Sequence, residues 1–254
     1  MNEFLIHIPH ASVYIPEDCR NAFLRPPEDE LPTMTDWFAD ALFDLPAQKL
    51  IFPITRLVCD AERFRDDKME EMSRRGMGAC YTCGHDGKPL RALTDAQREV
   101  ILQRWYDPHH ARLAHLVGAN LCRFGHCTVI DGHSFSPVPL PYEPDQSPER
   151  PDICIGTDGF HTPPMLTEAL CEAFRRKGYS VAVDRPYNGT IVPLPYYRKE
   201  PSIRSVMIEV NRGLYLNDRC EKSHAFPIVK RDIFDVFLSV AQRDGKRVTV
   251  DIVD

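Results

Sequence analysis

Apolar residues in this chain fall into short bursts of two different periods. EFLIHI at 3–8 is strand-like and is halted by Pro9. TDWFADALFDL at 35–45 has helical spacing: Trp37, Phe38, Ala41, Leu42 and Leu45 share a face, and Thr35 or Asp36 could cap it. Strand patterns return at 49–54 and 56–60, with Pro53 marking an edge or bulge. Residues 62–92 are polar and glycine-containing, and are expected to form a long loop. Thr94 and Gln97 make a capping box ahead of a helical stretch that runs to about Cys122 and is interrupted at Pro108. A strand at 127–131, a helix at 164–177 and strands at 179–183 and 204–210 follow. A helix at 229–242 and a last strand at 247–252 close the chain. Strands alternating with helices predict a three-layer α/β/α domain over residues 1–254, with a mixed, largely parallel sheet.

Composition narrows the class of function. Of 254 residues, 43% are hydrophobic and 27% charged, enough for one large globular core. A net charge of −6 without a long Lys/Arg run argues against nucleic acid as partner. No 18-residue apolar stretch exists, so no membrane span is expected. MNEFLIHIPH has no basic start and only a short apolar run, so it does not read as a secretory leader. The odd count of nine cysteines fits reduced thiols in a cytoplasmic protein. The 22 prolines crowd into 137–151, 163–164 and 186–201, which predicts stiff extended loops of the kind that wall binding sites.

In open α/β sheets ligands bind beyond the carboxyl ends of strands, so the polar residues falling there matter most. His10 follows the first strand, and Asp60, Glu62 and Arg63 follow 56–60. Asp131 and His133 sit in VIDGHSF, Asp184 and Arg185 follow 179–183, and Glu209 and Asn211 end the strand at 204–210. Each has a bland reading. His10 alone reads as a surface or capping residue as readily as a metal ligand. Asp131 and His133, two apart on a strand, share a face, either as a structural pair or as a carboxylate orienting a metal-bound imidazole. Glu209 lies in an apolar strand and needs a cation, whether Arg212 or a metal; beside a metal it would be placed as a general base. Asp36 either caps its helix or turns toward a metal. Arg56 and Arg63 suit a carboxylate substrate, or solubility alone.

Cysteine chemistry is less promising. Cys80-Tyr-Thr-Cys83 is a CxxC placed in a loop, which weakens both a thioredoxin-like reading and a zinc knuckle, even with His85 nearby. Cys122 and Cys127 read as a buried pair around a turn. His109 and His110 point to different faces of a helix, so at most one of them is expected to act.

Taken in order, IPHASVYIP, TDWFADALF, LVCDAERF, RWYDPHHARL, VIDGHSF, DICIGTDG, RPYNGTIV and MIEVNRGLY resemble the N-formylglutamate amidohydrolase (deformylase) family over most of residues 4–216. That family resembles the zinc carboxypeptidases and aspartoacylase-like deacylases, which implies a carboxypeptidase-like (phosphorylase/hydrolase-like) fold. The resemblance implies metal ligation by His10 and His133, a general base in Glu209 and a carboxylate-binding Arg63. The glutamate ligand expected three residues after the first histidine is Val13 here, and Asp36 is taken as its substitute. VCDAER replaces the family's V-I-D-L-N-R, putting Glu62 where Asn is usual. IVP replaces I-T-R and removes an expected arginine.

The resulting expectation is a Zn²⁺-dependent hydrolase of a small anionic N-acyl amino acid, with N-formyl-L-glutamate the first choice, in a histidine-degradation type of reaction. His10, Asp36 and His133 would hold the ion, Asp131 would orient His133, and Glu209 would be the base. His110 would assist catalysis, and Arg63, Arg56, Thr82, Arg185 and Asn188 would contact substrate. Other N-acyl or peptide-like amides, a non-catalytic zinc-containing binding protein and a thiol redox protein built on Cys80 and Cys83 are the alternatives.

Overall fold

The computed structural model describes residues 3–248. Six strands, β1 Phe4–Ile8, β2 Gln48–Ile51, β3 Cys127–Phe135, β4 Ile153–Gly156, β5 Val181–Val183 and β6 Ile203–Asn211, form one sheet in the order β2-β1-β3-β6-β4-β5. β2, β1, β3 and β6 run parallel, β4 pairs antiparallel with β6, and β5 follows β4. Three one-turn helices, α1 Glu17–Arg20, α2 Leu31–Met34 and α3 Ala39–Leu42, precede the longer α4 Asp95–Ile101, α5 Asp107–Phe124, α6 Pro164–Arg176 and α7 Phe226–Val248.

β1 and β3 are buried along their whole length, as parallel strands covered on both faces must be. Their alternate residues divide between two cores. Phe4, Ile6, Ile8, Ile130, Val206 and Ile208 pack with residues of α3, α6 and α7. Leu5, Val129 and Ile203 face the opposite way, onto Leu113, Leu116 and Val117 of α5. Each large side chain so buried contributes about 1.5–3 kcal/mol. The three-layer arrangement expected from the pattern is therefore present.

Several boundaries differ from the expectation. The predicted helix at 35–45 shrinks to α3, because Phe38 adopts a left-handed φ of 60° where the helix would have begun. Residues 56–60 form no strand: Val58 N bonds back to Thr55 O at 3.0 Å, which makes a turn. Apart from a 3₁₀ helix at Glu71–Arg75, residues 52–92 are irregular but cored, with Phe52, Ile54, Val58 and Cys59 buried in one cluster and Leu57, Met77, Tyr81 and Leu90 in another. β3 runs on to Phe135, so Asp131 and His133 lie within it and not at its end. β4 was not anticipated, its four residues being enclosed by the proline-rich loop and a glycine turn.

The capping box on Thr94 and Gln97 is present. The break expected at Pro108 is instead a π-turn over Leu102–Tyr106 that carries α4 into α5, just ahead of a proline with no N–H to give. Cys122 is exposed while Cys127 is buried with Asn120 Nδ2 3.6 Å from its sulfur, so the two are not a buried pair. α7 continues through Val248, and the strand expected at 247–252 otherwise lies outside the described residues.

Gly132 shows how tightly the sheet is packed. A Cβ there would lie 2.7 Å from Ile8 Cδ1 and 2.8 Å from Phe43 Cδ2. Gly132→Ala is expected to destabilise the protein by about 1–3 kcal/mol, read as a fall of several degrees in Tm; an unchanged Tm would contradict this packing.

Candidate metal centre

Three paired strands assemble the centre by register. His7 of β1 is opposite Asp131 of β3, and His133 of β3 is opposite Glu209 of β6. All four belong to the odd-numbered face that packs toward α5, so their side chains collect on one side of the sheet. His10 follows β1 directly, and its carbonyl accepts Asp36 N at 3.0 Å, which draws the TDW segment in beside it.

Asp36 therefore does not cap α3. Its Oδ2 lies 3.1 Å from His133 Nδ1, accepts Ser134 N at 3.2 Å and stands 3.7 Å from His10 Nδ1. The other nitrogen of His10, Nε2, bonds Asp60 Oδ1 at 2.8 Å. That leaves His10 Nδ1 buried without a hydrogen-bond partner among the described residues. A buried orphaned nitrogen beside a carboxylate and a second imidazole fits a cation, and these three side chains group at metal-ligand spacing. Two imidazoles and a carboxylate are a donor set that zinc accepts. His133 Nε2 is 3.2 Å from Asp131 Oδ1, so the expected meeting of these two residues occurs.

The electrostatics are those of buried charges held by neighbours. Burial would raise Asp36, Asp60 and Asp131, yet each is held well below the usual carboxylate range. His10 and His133 do this for Asp36; His10, Arg56 and Arg63 for Asp60; His133 and His7 for Asp131. Burial would lower His133, but Glu62, Asp131 and Asp36 keep it well above its ordinary value. Glu209 differs. Burial pushes it up to about 8, with Asp36 and Glu62 adding and His133 and Arg212 opposing, and its Oε2 has no hydrogen-bond partner among the described residues.

A cavity of ≈ 560 Å³ opens onto His10, Asp36, Arg63, His110, Asn188 and Glu209. Arg63 Nε bonds Met77 O at 3.3 Å and lies 3.9 Å from Asp60. Arg56 also lines the cavity, but is committed to Asp60 Oδ2 at 2.9 Å and to the Tyr81 hydroxyl. His110 Nε2 is 2.8 Å from Ala61 O, its ring stacks on Tyr106, and burial lowers it to about 4.

Two expected substrate contacts are not brought to this cavity. Thr82 lines a separate depression with Asp67 and Arg98. Arg185 follows β5, which runs against β6, and its guanidinium binds Asp145 and Ser147 of the proline-rich loop. Cys80 is buried and Cys83 partly so, both as free thiols, and His85 is bound to Glu30 at 2.9 Å, away from a zinc knuckle. Arg212, the alternative partner for Glu209, instead reaches Asp36, Thr33 O and Ser134.

Sequence reasoning missed His7, and named Asp60, Glu62 and His109 without giving any of them a role in the centre. Asp60 bonds His10, and Glu62 lies 3.0 Å from His133 Nε2. His7 joins Asp131 at 2.9 Å on one side and His109 at 2.9 Å on the other. Burial lowers His109 to about 2, so that ring is neutral. A histidine in the middle of the apolar run EFLIHI was the available signal.

The raised Glu209 gives a pH signature. Between the ordinary 4.5 and about 8, the folded, metal-free protein keeps a proton that the unfolded chain has released. Wild-type stability contributed by this group is thus lost as pH rises through that window. In chelator, Glu209→Gln should gain Tm over wild type as pH goes from 5 to 9; a pH-independent difference would refute the shift.

Comparisons with known proteins identify the family and the fold. A family model described as N-formylglutamate amidohydrolase matches residues 2–216. A crystal structure of an N-formylglutamate amidohydrolase from Ralstonia eutropha superposes with a TM-score of 0.83 at 25% identity, over 96% of this chain and 95% of that one. A gene product of Agrobacterium tumefaciens shares the fold, with a TM-score of 0.66 at 18% identity over 96% and 92% of the two chains. No curated protein matches. The chain belongs to the N-formylglutamate amidohydrolase family, hydrolases of carbon–nitrogen amide bonds.

Proposed function

We propose that this hydrolase is metal-dependent and cleaves N-formyl-L-glutamate to formate and L-glutamate. The observation that carries the metal is the buried, unpartnered His10 Nδ1 beside Asp36 Oδ2 and His133. His10, Asp36 and His133 would hold Zn²⁺. A zinc ion so held supplies Lewis acidity for the formyl oxygen and acidifies a water.

The chain's own residues do the rest. Asp60 fixes His10 through Nε2, and Asp131 stands behind His133 at ion-pair distance, a charge that would favour its binding a cation on the other side. Glu209 lies across from His133 on the neighbouring strand and lines the cavity, where it would take a proton from water and pass it to the leaving nitrogen. Arg63, beside the Asp60 cluster, would grip a substrate carboxylate, with Asn188 lining the same cavity.

One observation favours a second reading. The cavity is generous for formylglutamate and also carries Leu140, Tyr142 and Phe64 on its wall, so a larger N-acyl amino acid would fit. Release of free amine from a panel of N-acyl amino acids, with and without added Zn²⁺, separates the readings. Turnover limited to long acyl chains would overturn the formyl assignment, and full turnover in chelator would overturn the metal.

Glu209→Gln is expected to keep its metal and lose about 10²–10⁴-fold in kcat, and retained turnover would remove Glu209 from the mechanism. Asp131→Ala should weaken zinc binding by about 10–100-fold in a competition titration, an effect that unchanged affinity would exclude.

A further inference from the structure

We propose that His7, Glu62 and Asp131 form a second divalent-cation seat, side by side with the His10–Asp36–His133 centre. The proposal rests on the metallohydrolase reading for its neighbour, while its own ligands are separate. Its cation belongs to the first-row divalent class, zinc or manganese, which one imidazole and two carboxylates bind well.

The three side chains offer ligand atoms close enough to share an ion. His7 Nδ1 is 2.9 Å from Asp131 Oδ1 and 3.9 Å from Glu62 Oε1. Donors on one ion with bonds of about 2.0–2.2 Å stand roughly 3.3 Å apart, inside that span. The far nitrogen of His7 is held by His109 at 2.9 Å, which fixes the ring and turns Nδ1 toward the two carboxylates.

A second observation is independent of that spacing. His133 Nε2 is buried, with the side chain 3% exposed, and lies 3.0 Å from Glu62 Oε2 and 3.2 Å from Asp131 Oδ1. It nevertheless makes a hydrogen bond to neither. Two carboxylates, Glu62 and Asp131, are thus gathered at one spot with His133 Nε2 at ion-pair distance from both, and a cation between them and His7 would offset their mutual repulsion. A one-ion centre employs His10, Asp36 and His133 and leaves Glu62 without a task, although the chain sets this carboxylate against His7, His10 and His133 at once. Glu62 and Asp131 both line the cavity, so an ion can reach them.

The test counts metal. Protein stripped with chelator is titrated with Zn²⁺ or Mn²⁺, and bound metal per chain is measured by elemental analysis, with circular dichroism confirming the fold of each variant. Wild type should saturate at two equivalents, Glu62→Gln and His7→Gln at one, Asp36→Asn at one, and Glu62→Gln combined with Asp36→Asn at none. Saturation of wild type at one equivalent, or two equivalents retained in Glu62→Gln, overturns the second seat. If wild type holds one and Asp36→Asn none, the neighbouring centre stands alone; no metal in wild type overturns both. Mn²⁺-loaded wild type should also give the spin-coupled electron paramagnetic resonance signal of two adjacent ions, and an isolated-ion spectrum at saturation overturns the proposal without any variant.

Discussion

The register of β1, β3 and β6 is the constraint on which the centre depends. Parallel pairing fixes which residues stand abreast, and a slip of one position would send every side chain to the other face. Here the pairing places His7 beside Asp131 and His133 beside Glu209. The apolar positions enforce it, since Ile6, Ile130 and Val206 belong to the opposite core and Leu5, Val129 and Ile203 to this one. The charged cluster is thus held by hydrocarbon packing on both sides of the sheet.

Such a cluster is costly to bury, and its arrangement shows how the cost is met. Asp60 takes hydrogen bonds from Arg56 and Tyr81 on one oxygen and faces His10 with the other. Asp36 is reached by His133, Ser134 N and Arg212. Glu209 has no comparable neighbour for its buried oxygen, and its proton affinity rises accordingly. The buried carboxylates therefore divide into those whose neighbours hold them as anions and Glu209, whose affinity for a proton burial raises.

Much of this was legible in the chain. Alternating strand and helix patterns gave the layered architecture, and polar residues interrupting apolar strands marked His133 and Glu209. Tertiary context decided the rest. Asp36 is an excellent cap by local preference, yet a hydrogen bond from its own backbone to His10 O turns it inward. Residues 56–60 have strand composition, but the Thr55 turn delivers Asp60 and Glu62 from outside the sheet. Arg185 looked like a strand-end residue because the reversal of β4 and β5 has no signature in residue type. His7 hid among apolar neighbours, since periodicity identifies a face and not which polar residue across the sheet will meet it.

The π-turn at Leu102–Tyr106 has a consequence of its own. One residue advances an α-helix by about 100°. A widened turn is an extra residue absorbed without breaking the rod, so α4 and α5 are effectively two helices on one axis with different angular phases. The end of the first helix and the start of the turn aim Ile101 and Leu102 into the cluster over Phe52 and Cys59, and the second helix aims Leu113 and Val117 at the sheet. His109 and His110 stand just past the phase change, one meeting His7 and the other Ala61 O. A deletion inside the turn would leave the rod intact but rotate both imidazoles off their partners, so the spacing between Thr94 and Asp107 works as an indexing mark for the whole face above the sheet.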